Sequence, residues 1–293
     1  MLPVKIKNIL PVLSILGAVF LWGSSFAAMR IVLKDLHPFA VMFCRLFSAF
    51  IFIIPISIKF FPKSYQQGDW KILLPMVLFQ PCLYFLFESN ALTFTTSSQA
   101  GIISACLPLM VAVAAWFFLA ESINNKTIIG LVLSITGVIL LTIFQSSQMD
   151  APNPALGNLL EVGAMLSACA NLILIKKLSS NYDTWSLTGM QVVAGTLFFL
   201  PGIKYIIEAD PSIWTMQLIL ILLYLGIFVS FFAFALCNWG VSKIEVSKAS
   251  IFINLIPVTA ILLGWLILKE TLNPKQMLAT VIIISGVFLS NQK

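Results

Sequence analysis

Ten long apolar runs, separated by short polar connections, are the feature that most limits what this 293-residue chain can fold into. A transmembrane helix needs about 20 mostly apolar residues, and only helices or closed barrels satisfy backbone polar groups in lipid. The runs lack the alternation of strands. The sequence therefore predicts an all-α integral membrane protein with ten transmembrane helices. Their approximate limits are 10–33, 38–61, 71–92, 98–120, 127–145, 156–178, 184–206, 216–239, 247–268 and 275–291.

Composition supports a membrane protein. Only 10% of the residues are charged, whereas a soluble domain has about 25%. The net charge of +6 lies mainly in short loops, so it indicates orientation and excludes a nucleic-acid-binding surface. The first run resembles a signal peptide, but it is longer than such a segment and no small-residue cleavage site ends it, so we predict that it is retained.

The second half of the chain repeats the first. Residues 91–140 align without a gap with residues 240–289 at an offset of 149, and earlier segments align more weakly at an offset of 146. Five helices is an odd number, so the second half must enter the membrane upside-down. We predict two inverted five-helix repeats, 1–149 and 150–293, in one membrane domain. The shared residues include Pro108/Pro257, Trp116/Trp265, Glu121/Glu270, Asn124/Asn273, Lys126/Lys275 and Gly137/Gly286.

Lysine and arginine residues predict the orientation. With the amino terminus inside, eleven of them lie at inside ends and five at outside ends, and Arg45 is left within a span. Cytoplasmic loops are enriched in these residues. We therefore predict a multi-pass protein of the cytoplasmic (inner) membrane with both termini in the cytoplasm.

The repeated segments LPLMVAVAAWFFLAESI and IPVTAILLGWLILKETL resemble the paired proline and glutamate-ended helices of the EamA-type drug/metabolite transporters. The segment VFLWGSSFAAMRIVLKDLHPFAVMFCR resembles that family's first helix and the start of its second, and YFLFESNALTFTTSSQAGII resembles its third-to-fourth helix junction. The resemblance covers nearly the whole chain. It implies ten helices and export of amino acids, drugs or similar metabolites, without naming the substrate.

Two repeat-related prolines, Pro108 and Pro257, lie near the middle of predicted helices four and nine. Proline frees the carbonyl four residues earlier, here at Ser104 and Ile253. We predict that both prolines act as hinges or line a cavity, and the alternative is that they only shape packing. The carboxylates of Glu121 and Glu270, at the ends of the same helices, are interpreted as fixing the following turns.

Polar residues deep in the spans indicate a binding site, because each costs free energy unless it faces protein or water. Gln80, Tyr84 and Glu88 form one stripe on a regular helix, and Asn254 precedes the Pro257 kink. Trp22 and Ser24 interrupt helix one below its outer end. These residues and Arg45 are the predicted substrate-binding residues.

Arg45 and Glu88 lie at comparable depth on consecutive antiparallel helices, so the sequence predicts an ion pair. Two alternatives remain open: the pair is a structural strut, or it forms part of an outer gate for which a substrate carboxylate or a proton competes. Glu88 and Glu161 are the acids placed within the membrane, and proton coupling is left open.

The sequence predicts no catalytic residues, metal site or cofactor. Its five cysteines lie in apolar runs, and the single His37 precedes a proline in a loop, so neither the spacing of a metal site nor a nucleophile–base set is present. The favoured function is a secondary transporter, an exporter of amino acids or related amphipathic metabolites working by alternating access. A channel or receptor, and with less support an intramembrane enzyme, are the alternatives. Whether the protein is a monomer or a homodimer is not decided.

Overall fold

The computed structural model describes residues 4–55, 65–119, 125–144, 151–244, 246–253 and 255–290. These residues form ten helical segments in the predicted order. They are α1 (Val4–Val32), α2 (Pro38–Ile53), α3 (Trp70–Phe94), α4 (Ser97–Ser104 with Leu107–Leu119), α5 (Asn125–Ile143), α6 (Pro154–Leu178), α7 (Thr184–Phe198, then Gly202–Ile207), α8 (Met216–Lys243), α9 (Val246–Ile253 with Ile256–Leu268) and α10 (Pro274–Ser290).

The outward surface of the bundle is apolar. Phe20, Phe117 and Leu197 are each more than 60% exposed, whereas large exposed apolar patches are rare on soluble proteins. Five described segments, α1, α3, α4, α6 and α8, have the length and hydropathy to cross a membrane. The exposed side chains therefore fit contact with lipid.

The helix contacts reveal the repeat. The contact between α1 and α8 corresponds to the contact between α6 and α3, and the α2–α8 contact corresponds to α7–α3, so each joins one half to the other. The pairs α4–α9 and α5–α10 each join equivalent helices. This pattern is unchanged when the halves are exchanged, as a pseudo-two-fold axis requires. The predicted fold class, all-α with two inverted five-helix repeats, is confirmed.

Both halves interrupt the same helices. Wide π-helical turns occur in α3 at Leu78–Leu83 and in α8 at Tyr224–Phe232. The helices α4 and α9 each break directly before the piece that carries Pro108 or Pro257. Interruptions inside a bundle are tolerated where neighbouring helices satisfy the backbone. The predicted kinks at both prolines are therefore present, while hinge motion stays a prediction.

Small residues bring the two halves into close contact. A Cβ placed on Gly101 of α4 would lie 2.3 Å from Ala260 Cβ of α9, and one on Gly137 of α5 would lie 2.5 Å from Ile283 of α10. Glycine permits such close helix approach in membranes. The proline-broken helices α4 and α9 thus touch directly.

Gly226 is expected to be sensitive to a single added methyl group. Its Cβ would lie 2.3 Å from the carbonyl oxygen of Arg45, a backbone atom that cannot rotate away. Gly226→Ala should therefore destabilise the protein by about 1–3 kcal/mol. The control Gly163→Ala adds a methyl at an ordinary 3.4 Å contact with Phe87 and should be neutral or slightly stabilising. Thermal unfolding of both variants in detergent measures the difference, and equal stabilities would contradict the close α2–α8 approach.

Candidate substrate cavity and charge cluster

A small cavity of about 30 Å³ lies between the two halves. Most of its walls are aliphatic or aromatic, with polar groups contributed by Gln80, Tyr84 and Ser104. Small-molecule sites usually have mainly apolar walls with a few oriented polar groups. The lining comes from α1, α3 and α4 of the first half and from α6 and α9 of the second: Trp22, Phe26, Gln80, Tyr84, Ser104, Leu107, Met165, Ala168, Leu172, Ile253 and Ile256.

The cavity is built where both halves interrupt their helices. Ser104 and Ile253, whose carbonyls the two prolines free, both line it. Both residues are the last of the first helical piece in their span, at Ser97–Ser104 and Val246–Ile253. Proline has no backbone N–H, so it cannot donate a helical hydrogen bond to these two carbonyls. The residues that carry them therefore lie next to the cavity.

A buried charge cluster lies beside the cavity, and Tyr84 belongs to both. The Tyr84 hydroxyl donates to Glu88 Oε1 at 2.6 Å, and Glu88 Oε2 lies 3.9 Å from Arg45 Nη1. The Arg45 and Glu88 side chains are 1% and 3% exposed. The predicted ion pair is therefore present, although neither residue lines the cavity itself.

Arg45 is held from three sides. Its Nε donates to Ser230 Oγ at 2.5 Å, and its guanidinium carbon lies 4.2 Å from the centroid of the Phe85 ring, which is the geometry of a cation–π contact. Nη1 makes no hydrogen bond among the described residues, and neither does Glu88 Oε2. The two charges thus attract each other, but their facing atoms are too far apart for a hydrogen bond.

The helix does not continue regularly through Gln80, contrary to the predicted stripe. Gln80 has extended backbone angles (φ −145°, ψ 121°) directly before Pro81. The freed Gln80 carbonyl accepts hydrogen bonds from Asn171 Nδ2 at 3.5 Å and Gln191 Nε2 at 3.2 Å, and Gln191 Oε1 accepts one from Asn238 at 2.9 Å. Gln80 still lines the cavity beside Tyr84, but a backbone break places it there and helical spacing does not.

The remaining predicted site residues have different positions. Trp22 lines the cavity and makes an edge contact with Phe234. Ser24 is outside the lining, and its hydroxyl lies 2.5 Å from the Tyr224 hydroxyl across the two halves. Asn254 lies outside the described residues. The structure thus brings Trp22, Gln80 and Tyr84 to one cavity, while their role in substrate binding stays a prediction.

Glu270 connects the two halves through its carboxylate, a contact that the sequence did not predict. It accepts hydrogen bonds at the first residues of α4, from Ser97 N, Ser97 Oγ, Ser98 N and Ser98 Oγ, at 2.5 to 3.0 Å. Negative charge is favoured at a helix N-terminus. Lys269 has a left-handed backbone (φ 58°) that ends α9, and Gly264 leaves room for the serines and the carboxylate. Its repeat mate Glu121 lies outside the described residues.

The opposite membrane face also has a contact between halves. Tyr182, in the α6–α7 connection, donates its hydroxyl to Asp69 Oδ2 at 2.5 Å. This hydrogen bond lowers the pKa of Asp69, and burial together with Asp69 raises the pKa of Tyr182 to about 12. Polar contacts thus join the halves at both faces, above and below the cavity.

Sequence reasoning missed Ser230, Tyr224 and Phe85, the partners of Arg45 and Ser24. The signal for the first two was present, because both are polar residues in the apolar run of α8. Phe85 carries no signal, since one phenylalanine among 24 is not distinguished by sequence. Within the described residues no group of three or more histidine, cysteine or acidic side chains is placed to hold a metal ion.

An inverted-repeat helical bundle with a cavity between its halves is an architecture that many membrane transporters share. The chain belongs to the EamA-like transporter family, whose model matches residues 9–143 and 155–292, once in each half. It is 26% identical to the uncharacterized transporter YetK of Bacillus subtilis over 94% of this chain and 85% of that protein. It is 27% identical to the chloroplastic WAT1-related protein At3g02690 of Arabidopsis thaliana over 93% of this chain and 67% of that protein. A solved crystal structure covers 96% of the chain with a TM-score of 0.68 at 18% identity, which supports the fold.

Proposed function

We propose that this transporter moves small amphipathic metabolites, such as amino acids, out of the cell by alternating access. The central cavity supports this proposal, because its apolar walls suit a hydrocarbon side chain and its few polar groups suit a charged or polar end. The neighbouring Arg45 guanidinium favours a ligand carboxylate. The inverted halves support alternating access, because exchanging their conformations moves the opening from one membrane face to the other.

Counterflow in proteoliposomes tests this function. Purified protein is reconstituted into proteoliposomes. The vesicles are loaded with one of the twenty proteinogenic amino acids at a time, and a trace of the same compound, labelled, is added outside. A carrier accumulates label transiently through exchange, whereas a channel, a receptor or an enzyme does not. No counterflow with any of the twenty would contradict the proposed substrate class.

A matched pair of variants links counterflow to the cavity. Met165 lines the cavity, and the adjacent Leu166 is 56% exposed on the outside of the bundle. Met165→Trp fills the cavity and should abolish counterflow, whereas Leu166→Trp should retain it. Equal transport by the two variants would place the substrate elsewhere.

The broken helices α4 and α9 are proposed as the moving parts. Their prolines are repeat-related, their breaks border the cavity, and they touch each other at Gly101 and Ala260. Pro108→Ala and Pro257→Ala allow a straighter helix and should each lower counterflow several-fold while the protein stays folded. Counterflow and size-exclusion profiles of both variants check this, and wild-type transport in both would leave the prolines a packing role only.

Both termini are proposed to lie in the cytoplasm, so that the face holding the α1–α2 connection is outside. The support is the excess of lysine and arginine at the opposite face. A cysteine at Ser147, in a variant without the five native cysteines, should react with a membrane-impermeant reagent added outside intact cells. Reaction only after the cytoplasmic side is made accessible would reverse the orientation.

A further inference from the structure

Glu161 of α6 is a buried acidic residue that does not line the cavity. It is fully buried, and neither of its carboxylate oxygens has a hydrogen-bond partner among the described residues. An isolated ionised carboxylate in such surroundings is very costly, and an ionisable group inside the membrane generally marks a functional site.

The packing of α6 on α3 places Glu161 level with Glu88. Gly157 of α6 lies against the Ala91 carbonyl, and Gly163 lies against the Phe87 ring. Glu161 is between these two glycines and one turn from Gly157, so it points to the same side of α6. Glu161 and Glu88 therefore lie at the same level on two helices that are in extensive contact.

The surrounding groups balance one of these carboxylates and leave the other without a partner. Glu88 has the Tyr84 hydroxyl and Arg45, and the Tyr224 hydroxyl of α8 contacts Ser24 of α1. On α1 the basic group closest to this level is Arg30, which donates to the Leu92 carbonyl, one turn beyond Glu88. In the described part of the cluster, Arg45 therefore faces two acids, and a negative charge on both would leave one uncompensated.

We propose that Glu161 is a proton-binding site, holding a proton in the conformation described here and releasing it to water when the cavity opens. Burial between two helices favours the neutral acid, and the negative charge of Glu88 does so as well. Entry of water solvates the carboxylate and removes this penalty. Because the two states of the site differ in proton affinity, each conformational change can be linked to uptake or release of one proton. This coupling rests on the proposed transport function, while proton binding itself does not.

Infrared difference spectroscopy tests proton binding without a substrate. Reconstituted protein is titrated from acid to alkaline pH, and the carbonyl band of a protonated, buried carboxylic acid is followed. Wild-type protein should show a band that disappears as the pH rises, and Glu161→Gln should lack it. Glu208→Gln, which removes the exposed partner of Lys204, should retain the band. The absence of such a band in wild type, or its survival in Glu161→Gln, overturns the proposal.

Transport then tests coupling separately. An imposed pH gradient should drive accumulation of the amino acid that gives counterflow, and Glu161→Gln should keep counterflow but lose gradient-driven accumulation. Gradient-driven accumulation that persists in Glu161→Gln overturns the coupling. Failure of counterflow in wild type would count against the proposed function and leaves the infrared result to decide proton binding.

Discussion

Arg45→Ala is expected to destabilise the protein by about 3–5 kcal/mol at neutral pH, because it leaves Glu88 buried without a positive partner. The same change removes the contacts with Ser230 and the Phe85 ring, so α2, α3 and α8 lose a shared anchor. Stability should recover partly toward acid pH, where protonation neutralises the orphaned carboxylate. Thermal unfolding in detergent at several pH values measures both effects.

A control variant removes both charges of the ion pair and keeps side chains of similar volume. Arg45→Met combined with Glu88→Gln leaves no unpaired charge at either position and should be far more stable than Arg45→Ala, since hydrophobic replacement of a buried ion pair is often neutral. A double variant as unstable as Arg45→Ala would mean that packing around the guanidinium, and not the charge, is what holds the helices.

Exchanging the charges of Arg45 and Glu88 distinguishes a gating role of the ion pair from a purely structural one. Arg45→Glu combined with Glu88→Arg should restore most of the stability, since a buried pair is present again. We expect it to leave counterflow impaired, because the guanidinium would leave the Phe85 ring and Ser230. Full counterflow with an unchanged pH profile and substrate preference would show that the pair is purely structural.

The helix count and the ion pair were predictable because both depend on distance along the chain. Ten apolar runs indicate the spans. A helix rises by about 1.5 Å per residue, so counting along two antiparallel helices places Arg45 and Glu88 at a similar depth. The inverted repeat was predictable as well, since proline, tryptophan and glutamate recur at one offset. These predictions need no knowledge of how the helices are arranged around each other.

The interruption at Gln80 was not predictable, because a proline inside a spanning helix is compatible with a mild kink, a wide turn or a break. The outcome depends on neighbours that satisfy the freed carbonyl, here Asn171 and Gln191 from the other half. The partners of Arg45 depend in the same way on which helices meet laterally. The sequence therefore predicts well how deep a residue lies along its helix, and predicts poorly which helices pack beside it.

Glu270 illustrates the same limit with a larger consequence. Its position at the end of α9 favoured a local role, yet its partners Ser97 and Ser98 precede it by 173 and 172 residues. The carboxylate closes a connection between α9 and α4, which are equivalent helices of the two halves. Under the proposed alternating access, a contact between equivalent helices at one face has to break before that face opens.

Glu270→Ala is therefore expected to open the membrane face at which α4 begins. The change removes four hydrogen bonds to a charged acceptor, and hydrogen bonds to charged groups each contribute about 1.5–3 kcal/mol. Glu270 is only partly buried, and water replaces much of what these contacts contribute. We therefore expect a net loss of about 1.5–3 kcal/mol, the value of one such hydrogen bond, which shifts the closed-to-open ratio by about tenfold or more. Counterflow should fall, since a face that does not close stops the cycle.

Alkylation of a cysteine at Ser104 measures the opening. Ser104 lines the cavity and is 1% exposed, so a membrane-impermeant thiol reagent reaches it only through an open face. In a background without native cysteines, labelling from the face at which α4 begins should be about tenfold faster in Glu270→Ala.

Ser97→Ala combined with Ser98→Ala removes the two hydroxyl donors but keeps both backbone donors, so it should give an intermediate rate. Glu208→Ala, the removal of a more exposed acid, should leave the rate unchanged. Equal labelling in wild type and Glu270→Ala would mean that Glu270 supports the fold of α4 without controlling access, and the closing contact would then have to lie elsewhere between the halves.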